Sequence, residues 1–93
     1  MDKKRFFELV MPIADLLEKK HQDYNSGGVK LGDYFPFGPA SYIQMMHVKV
    51  TRLVSLQQGD RVPNFESMES TVRDLVNYAL FYLDYIDRTR GDS

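Results

Sequence analysis

The sequence predicts an all-α fold: three helices in one domain over 1–93, a long aromatic- and glycine-rich loop between the first two, and assembly into a helical-bundle homo-oligomer. Three observations carry this expectation. Apolar residues recur at helical spacing in three stretches, and helix breakers cluster between the first two of them. The chain is also short, with 93 residues, 43% hydrophobic content and no cysteine, so one modest core without disulfides makes self-association the expected source of added stability.

The first stretch runs from about Lys3 to Gln22. Phe6, Leu9, Val10, Ile13, Leu16 and Leu17 form its apolar stripe, while Glu8, Asp15, Glu18 and Lys19 fall on the other side. Pro12 removes one backbone hydrogen bond and is expected to kink the helix or to mark the start of its second half. From about His21 to Ala40, Gly27, Gly28, Gly32, Gly38, Pro36 and Pro39 forbid a regular helix. Tyr24, Tyr34, Phe35 and Phe37 are costly to leave in water, so this loop is expected to fold back over the helices.

Helix two is expected from Pro39 or Ser41 to Gln58, ended by Gly59, with Ile43, Met46, Val50, Leu53 and Val54 as its buried stripe. Helix three should begin near Asn64 and reach about Arg88, with Met68, Val72, Leu75, Ala79, Leu83 and Ile86 as its main stripe. Tyr78, Phe81 and Tyr85 widen that apolar surface. A helix apolar over so much of its circumference is expected to bury two faces, and these three rings are assigned to a partner subunit.

Charge and hydropathy exclude several function classes. A net charge of −1 argues against general nucleic-acid binding, which draws its affinity from clustered Lys and Arg. The apolar runs are too short to span a bilayer, and Glu8 interrupts anything like a signal-peptide core, so the cytoplasm is the expected compartment. Without cysteine there is no thiolate metal site and no thiol nucleophile.

Chemistry-bearing residues concentrate on helices two and three. Glu66, Glu69, Asp74 and Asn77 project away from the main stripe of helix three, and Glu66, Glu69 and Asp74 form a candidate Mg²⁺ ligand set. A solvated acidic face at the positive end of the helix dipole, with Glu69 paired to Arg73, is the alternative. Lys49 and Arg52, three residues apart, suit phosphate oxygens, Arg through its planar fork and Lys as a point charge. Surface ion pairs to helix three are the plainer explanation. His47 is expected to be partly buried and bonded to a carbonyl rather than to ligate a metal, since no second histidine lies at ligand spacing.

Three strings together resemble a known family: Asp23-Tyr24, the run from His47 to Leu53 that contains Lys49 and Arg52, and the run from Asn64 to Ala79. They are similar to the nucleotide modification associated domain type 1 family of small phage and prophage proteins, and the similarity covers most of the chain. Ser70 stands where that pattern usually has an acid. The resemblance implies a setting in viral or host nucleotide metabolism, and the host cytoplasm if the chain is phage-encoded. More distantly, the arrangement is similar to all-α nucleotide pyrophosphohydrolases of MazG-like type, whose paired acidic helices bind Mg²⁺. Only Glu66-Ser67-Met68-Glu69 reproduces the first of those acidic elements.

Three functions follow as expectations. The first is a nucleotide-binding protein acting on nucleotide pools, or sequestering a nucleotide signal, through Lys49, Arg52, Tyr24, Asp23, Asp74 and Asn77. An Mg²⁺-dependent nucleoside-triphosphate pyrophosphohydrolase with Glu66, Glu69 and Asp74 as ligands is the second. The third is a non-catalytic interaction module working through Tyr78, Phe81 and Tyr85.

Overall fold

The helices follow one another along the chain in the order the periodicity predicts. A computed structural model describes residues 1–24, 30–59 and 65–91, without the side chains of 21–24, 65 and 66. It contains α1 (Lys3–Tyr24), a 3-10 turn over Leu31–Tyr34, α2 (Pro39–Gln58) and α3 (Phe65–Gly91). The described residues contain no strand, so the all-α class stands. Helix two keeps its predicted bounds, whereas α1 reaches Tyr24 and α3 reaches Gly91, each a few residues past the predicted ends. Residues 25–29 of the glycine-rich loop lie outside the described residues. Among the described residues no helix is long and apolar enough to cross a membrane.

The chain resolves into two compact units, Met1–Tyr34 and Phe35–Ser93. In the first, Asp2 caps α1: its carboxylate accepts the Arg5 backbone N–H at 2.9 Å, satisfying a donor that the helix start leaves open. The helix continues through Pro12, which removes the N–H that would otherwise meet the Glu8 carbonyl. Phe6, Leu9 and Leu16 of the predicted stripe are exposed. Asp33 closes the 3-10 turn, its carboxylate accepting from the Lys30 N–H at 2.9 Å while its own N–H donates to the Lys30 carbonyl at 3.0 Å.

The second unit is an antiparallel hairpin of α2 and α3. Its contacts run in opposite directions along the two helices: Arg52 meets Thr71, Lys49 meets Asp74 and Tyr42 meets Tyr82. The chain enters α2 through Gly38, at φ 62° and ψ −136°, a conformation that disfavours any residue with a Cβ. The Phe37 N–H then donates to the Ser41 hydroxyl at 2.9 Å, pinning the turn to the first residues of the helix. This turn delivers Phe35, 8% exposed, onto the helix pair, while Phe37 is left 79% exposed.

The predicted apolar stripes are only partly buried: Met46 and Leu53 of α2, and Met68, Leu75, Ala79 and Ile86 of α3, are half-buried. Ile43, Val50 and Val54, three of the five residues predicted to line the buried side of α2, are exposed, as are Val72 and Leu83 of α3. The two helices instead meet along Tyr42, Lys49 and Arg52 on one side and Thr71, Asp74, Tyr82 and Tyr85 on the other. At about 100° per residue, the aliphatic stripe of each helix lies roughly a third of a turn from this seam. In an antiparallel pair, both stripes then fall on the same side of the hairpin. The reason is the content of the seam: stacked rings at one end, and complementary charge and hydroxyl groups at the other, give a directional match that separate aliphatic stripes lack.

Candidate functional site

The seam between α2 and α3 has two halves. At the end nearer Gly38 it is aromatic. Tyr42, 2% exposed, lies nearly parallel to Phe35 (ring centroids 4.2 Å apart, planes 10° apart) and to Tyr82 (5.4 Å, 9°). Phe35 also meets the edges of Tyr78 and Phe81 at 6.1 and 6.2 Å, and Tyr85 tilts against Tyr42 at 5.2 Å. Each such ring pair is worth about 0.5–1.5 kcal/mol beyond the area it buries. Burial pushes the Tyr42 phenol above its ordinary value; Tyr85 and Asp84 act in the same direction, and Arg88 opposes them.

Tyr78, Phe81 and Tyr85, the rings expected at a partner interface, are thus engaged within the chain and half-buried there. The cluster is the anchor that fixes the register of α3 on α2, and through that register it sets what meets at the other end of the seam.

At that other end the seam opens into a cleft of about 450 Å³ lined by Lys49, Arg52, Ser67, Ser70, Thr71 and Asp74. Lys49 Nζ lies 3.2 Å from the Asp74 carboxylate, and both side chains are partly exposed. Water screens a pair of this kind, so it adds little stability but sets where both charges stand. Thr71, 3% exposed, is the pivot of the site. Its hydroxyl donates to the Ser67 carbonyl one turn earlier at 2.6 Å and accepts from Arg52 Nε at 3.2 Å.

Holding a guanidinium by Nε leaves its terminal N–H groups, the bidentate fork that fits phosphate and carboxylate oxygens, turned to other partners. Among the described residues no carboxylate lies within ion-pair distance of Arg52. The described lining of the cleft therefore combines a guanidinium held at Nε by Thr71, a lysine paired with Asp74, and serine and threonine hydroxyls.

The predicted residues divide clearly. Lys49, Arg52 and Asp74, read from three separate positions in the sequence, converge on the cleft. Asn77 does not line it; its side-chain oxygen is buried and accepts no hydrogen bond among the described residues. The Asp23, Tyr24 and Glu66 side chains lie outside the described residues.

Glu69 binds Arg73 at 2.7 Å on the exposed side of α3, about 140° around the helix from Asp74. Glu69 and Asp74 thus serve different cations, and among the described residues no three acidic or histidine side chains converge to hold a metal. His47, expected to be partly buried, is exposed, because its position on α2 points away from α3.

Sequence reasoning missed Thr71, the Tyr42 stack and the place of Ser67 and Ser70 in the cleft. A signal for Thr71 was present. Lys49 and Arg52 are three residues apart, as are Thr71 and Asp74, so antiparallel packing that pairs Lys49 with Asp74 also pairs Arg52 with Thr71. Comparison with protein-family models, with curated proteins and with solved structures finds no match to this chain, so the reading of its function rests on the residues of this cleft.

Proposed function

We propose that the chain is a nucleotide-binding protein that takes a phosphate group in the cleft between α2 and α3. The carrying observation is the Arg52 guanidinium, fixed through Nε by the buried Thr71 hydroxyl in an open cleft. In this reading the Arg52 fork receives the phosphate oxygens, Lys49 adds a second positive charge, and Ser70 supplies a neutral hydrogen bond. Asp74 orients Lys49 and accepts from a sugar hydroxyl. A site preset in the free protein spares the ligand part of the ordering cost of binding.

The resemblance to small phage proteins of nucleotide metabolism supports the same class of ligand and adds the setting: the cytoplasm, or a host's if the chain is viral, with sequestration of a nucleotide signal as one use. Homo-oligomerisation belongs to this reading as well, with the exposed aliphatic side chains Ile43, Val50, Val54, Val72 and Leu83 available for it. The Mg²⁺-dependent hydrolase has less support, since Glu69 and Asp74 serve different cations.

Isothermal titration of the full chain against nucleoside mono-, di- and triphosphates and cyclic nucleotides tests the proposal. Binding of at least one that weakens about tenfold or more in Arg52→Ala is the expected result, the size of one lost charged hydrogen-bond pair. No heat with any of them at high micromolar concentration, or binding indifferent to Arg52→Ala, would sink it.

A further inference from the structure

We infer that a second copy of this chain docks on the aliphatic face of the hairpin, with α3 lying antiparallel to its counterpart about Leu80. This rests on the self-association named above and supplies its surface and orientation.

The face is a second coiled-coil stripe. On α3, Val72, Val76, Ala79, Leu83 and Ile86 follow one another at alternating intervals of four and three residues, and on α2 Ile43, His47, Val50, Val54 and Gln57 do the same. That alternation keeps one side of a helix against a neighbouring helix. The ring stack, Arg52–Thr71 and Lys49–Asp74 contacts use other positions, and the stripe is left open: Val72, Leu83, Ile43, Val50 and Val54 are exposed, while Val76, Ala79 and Ile86 are half-buried. Neither stripe contains Asp, Glu, Lys or Arg.

The outer edge of the α3 stripe points to what covers it. Arg73, Leu80 and Asp87 are spaced by seven residues, close to two turns, so they form one row along that edge. The row carries opposite charges about 10 Å to either side of an exposed leucine. An identical helix laid antiparallel sets Leu80 on its own counterpart, Arg73 beside Asp87 of the second copy, and Asp87 beside Arg73 of the second copy. A parallel copy in register would set like charges against each other.

Within the stripe the antiparallel register places Leu83 against Ala79 of the second copy, large against small, and Val76 against Ile86 of the second copy. Because Tyr42 meets Tyr82 and Lys49 meets Asp74, Ile43 lies level with Leu80, on the same side of the hairpin. The two-fold axis therefore brings the two Ile43 side chains together as well. Apolar contact supplies the affinity, and the rim charges fix the orientation. Arg73 keeps Glu69, which it holds at 2.7 Å within its own helix, and gains a second carboxylate. The cleft residues Arg52, Ser70 and Asp74 project roughly half a turn around their helices from this face, so phosphate binding and self-association are separable.

Sedimentation equilibrium of the full chain tests the pairing, at low ionic strength where rim charges are least screened. A monomer–dimer equilibrium is expected. Arg73→Glu sets carboxylate against carboxylate at both ends of the contact, and Asp87→Arg sets cation against cation; each is expected to weaken the dimer about tenfold. Mixed in equal amounts, the two variants regain both opposite-charge pairs, and their heterodimer is expected to match the unmodified dimer. Leu83→Asp puts a charge into the stripe and is expected to weaken association about a hundredfold. In the dissociated chain this face is solvated, so the helical circular dichroism of each variant at low concentration should be unchanged.

A chain that stays monomeric up to about 1 mM overturns the proposal, since that is the weak end of specific association. A dimer indifferent to Leu83→Asp uses another surface and overturns it too. A dimer weakened by both charge reversals but not rescued when they are mixed is not antiparallel about Leu80, and the orientation is then wrong. None of these results touches the nucleotide reading, which is judged by titration of Arg52→Ala.

Discussion

Arg52 Nε donates to the Thr71 hydroxyl at 3.2 Å, joining α2 to α3 through a group that is almost wholly buried. Because the same hydroxyl also donates to the Ser67 carbonyl, its position is fixed by its own helix, and the arginine is positioned in turn. Thr71→Val keeps the shape and deletes both bonds. It should cost about 1–2 kcal/mol in chemical denaturation, a typical loss for a buried hydroxyl with two partners. In the anion-binding reading it should also weaken the ligand about three- to tenfold by freeing the Arg52 side chain. Thr71→Ser, which retains the hydroxyl, should recover most of the binding.

Tyr82 and Leu83 are neighbours in sequence with opposite roles. Tyr82 stacks on Tyr42, whereas Leu83 is 61% exposed. Tyr82→Ala is expected to destabilise the chain by about 2–4 kcal/mol, through lost ring contacts and the cavity left behind. Leu83→Ser should stay within about 0.5 kcal/mol, as exposed substitutions do. Urea midpoints for the two variants decide which face of α3 forms the seam, and the reverse order would mean that the aliphatic stripe is the buried one.

Gly38 shows why the entry to α2 is intolerant of substitution. An added Cβ would lie 3.2 Å from the Tyr85 hydroxyl, and the backbone there has a positive φ of 62°. Gly38→Ala should lower stability by about 1–3 kcal/mol. Pairing it with Tyr85→Phe tests how much of the loss is crowding: relief in the double variant assigns that share to the hydroxyl, and the remainder to backbone strain.

Alkaline pH offers a test of the buried ring stack. Burial, with Tyr85 and Asp84 acting in the same direction against Arg88, raises Tyr42 above the ordinary 10.0. Below pH 10.0 the phenol is neutral whether the chain is folded or unfolded, so its contribution is intact. As pH climbs past that value towards the raised one, the unfolded chain loses its proton first and folding weakens. Thermal melts should therefore show Tm falling more steeply with pH above 10.0 than in Tyr42→Phe, which keeps the ring and removes the ionisation. Equal slopes would show that Tyr42 does not govern the alkaline limit.

The sequence by itself determined which segments are helical, because a 3.6-residue apolar period, Gly59 after helix two and the glycines and prolines between 27 and 39 act locally. It also marked Lys49, Arg52 and Asp74 as groups of interest, since their residue types and spacing limit what chemistry they can do. The tertiary structure alone decided which side of each helix turns inward. Periodicity ranks apolar stripes by hydrophobicity, and on that scale Ile43, Val50, Val54, Val72 and Leu83 outrank a seam that contains a lysine, an arginine, an aspartate and tyrosines. Directional contacts modify that ranking: Met46, Leu53, Met68, Leu75, Ala79 and Ile86 of the predicted stripes stay half-buried, and Lys49 and Asp74 join them at that level. Ring stacking on Tyr42 and the Arg52–Thr71 and Lys49–Asp74 contacts depend on the register between two helices, which no single helix encodes. Thr71 shows the same limit: an unremarkable threonine in one helix becomes the pivot of the cleft once antiparallel packing sets it opposite Arg52.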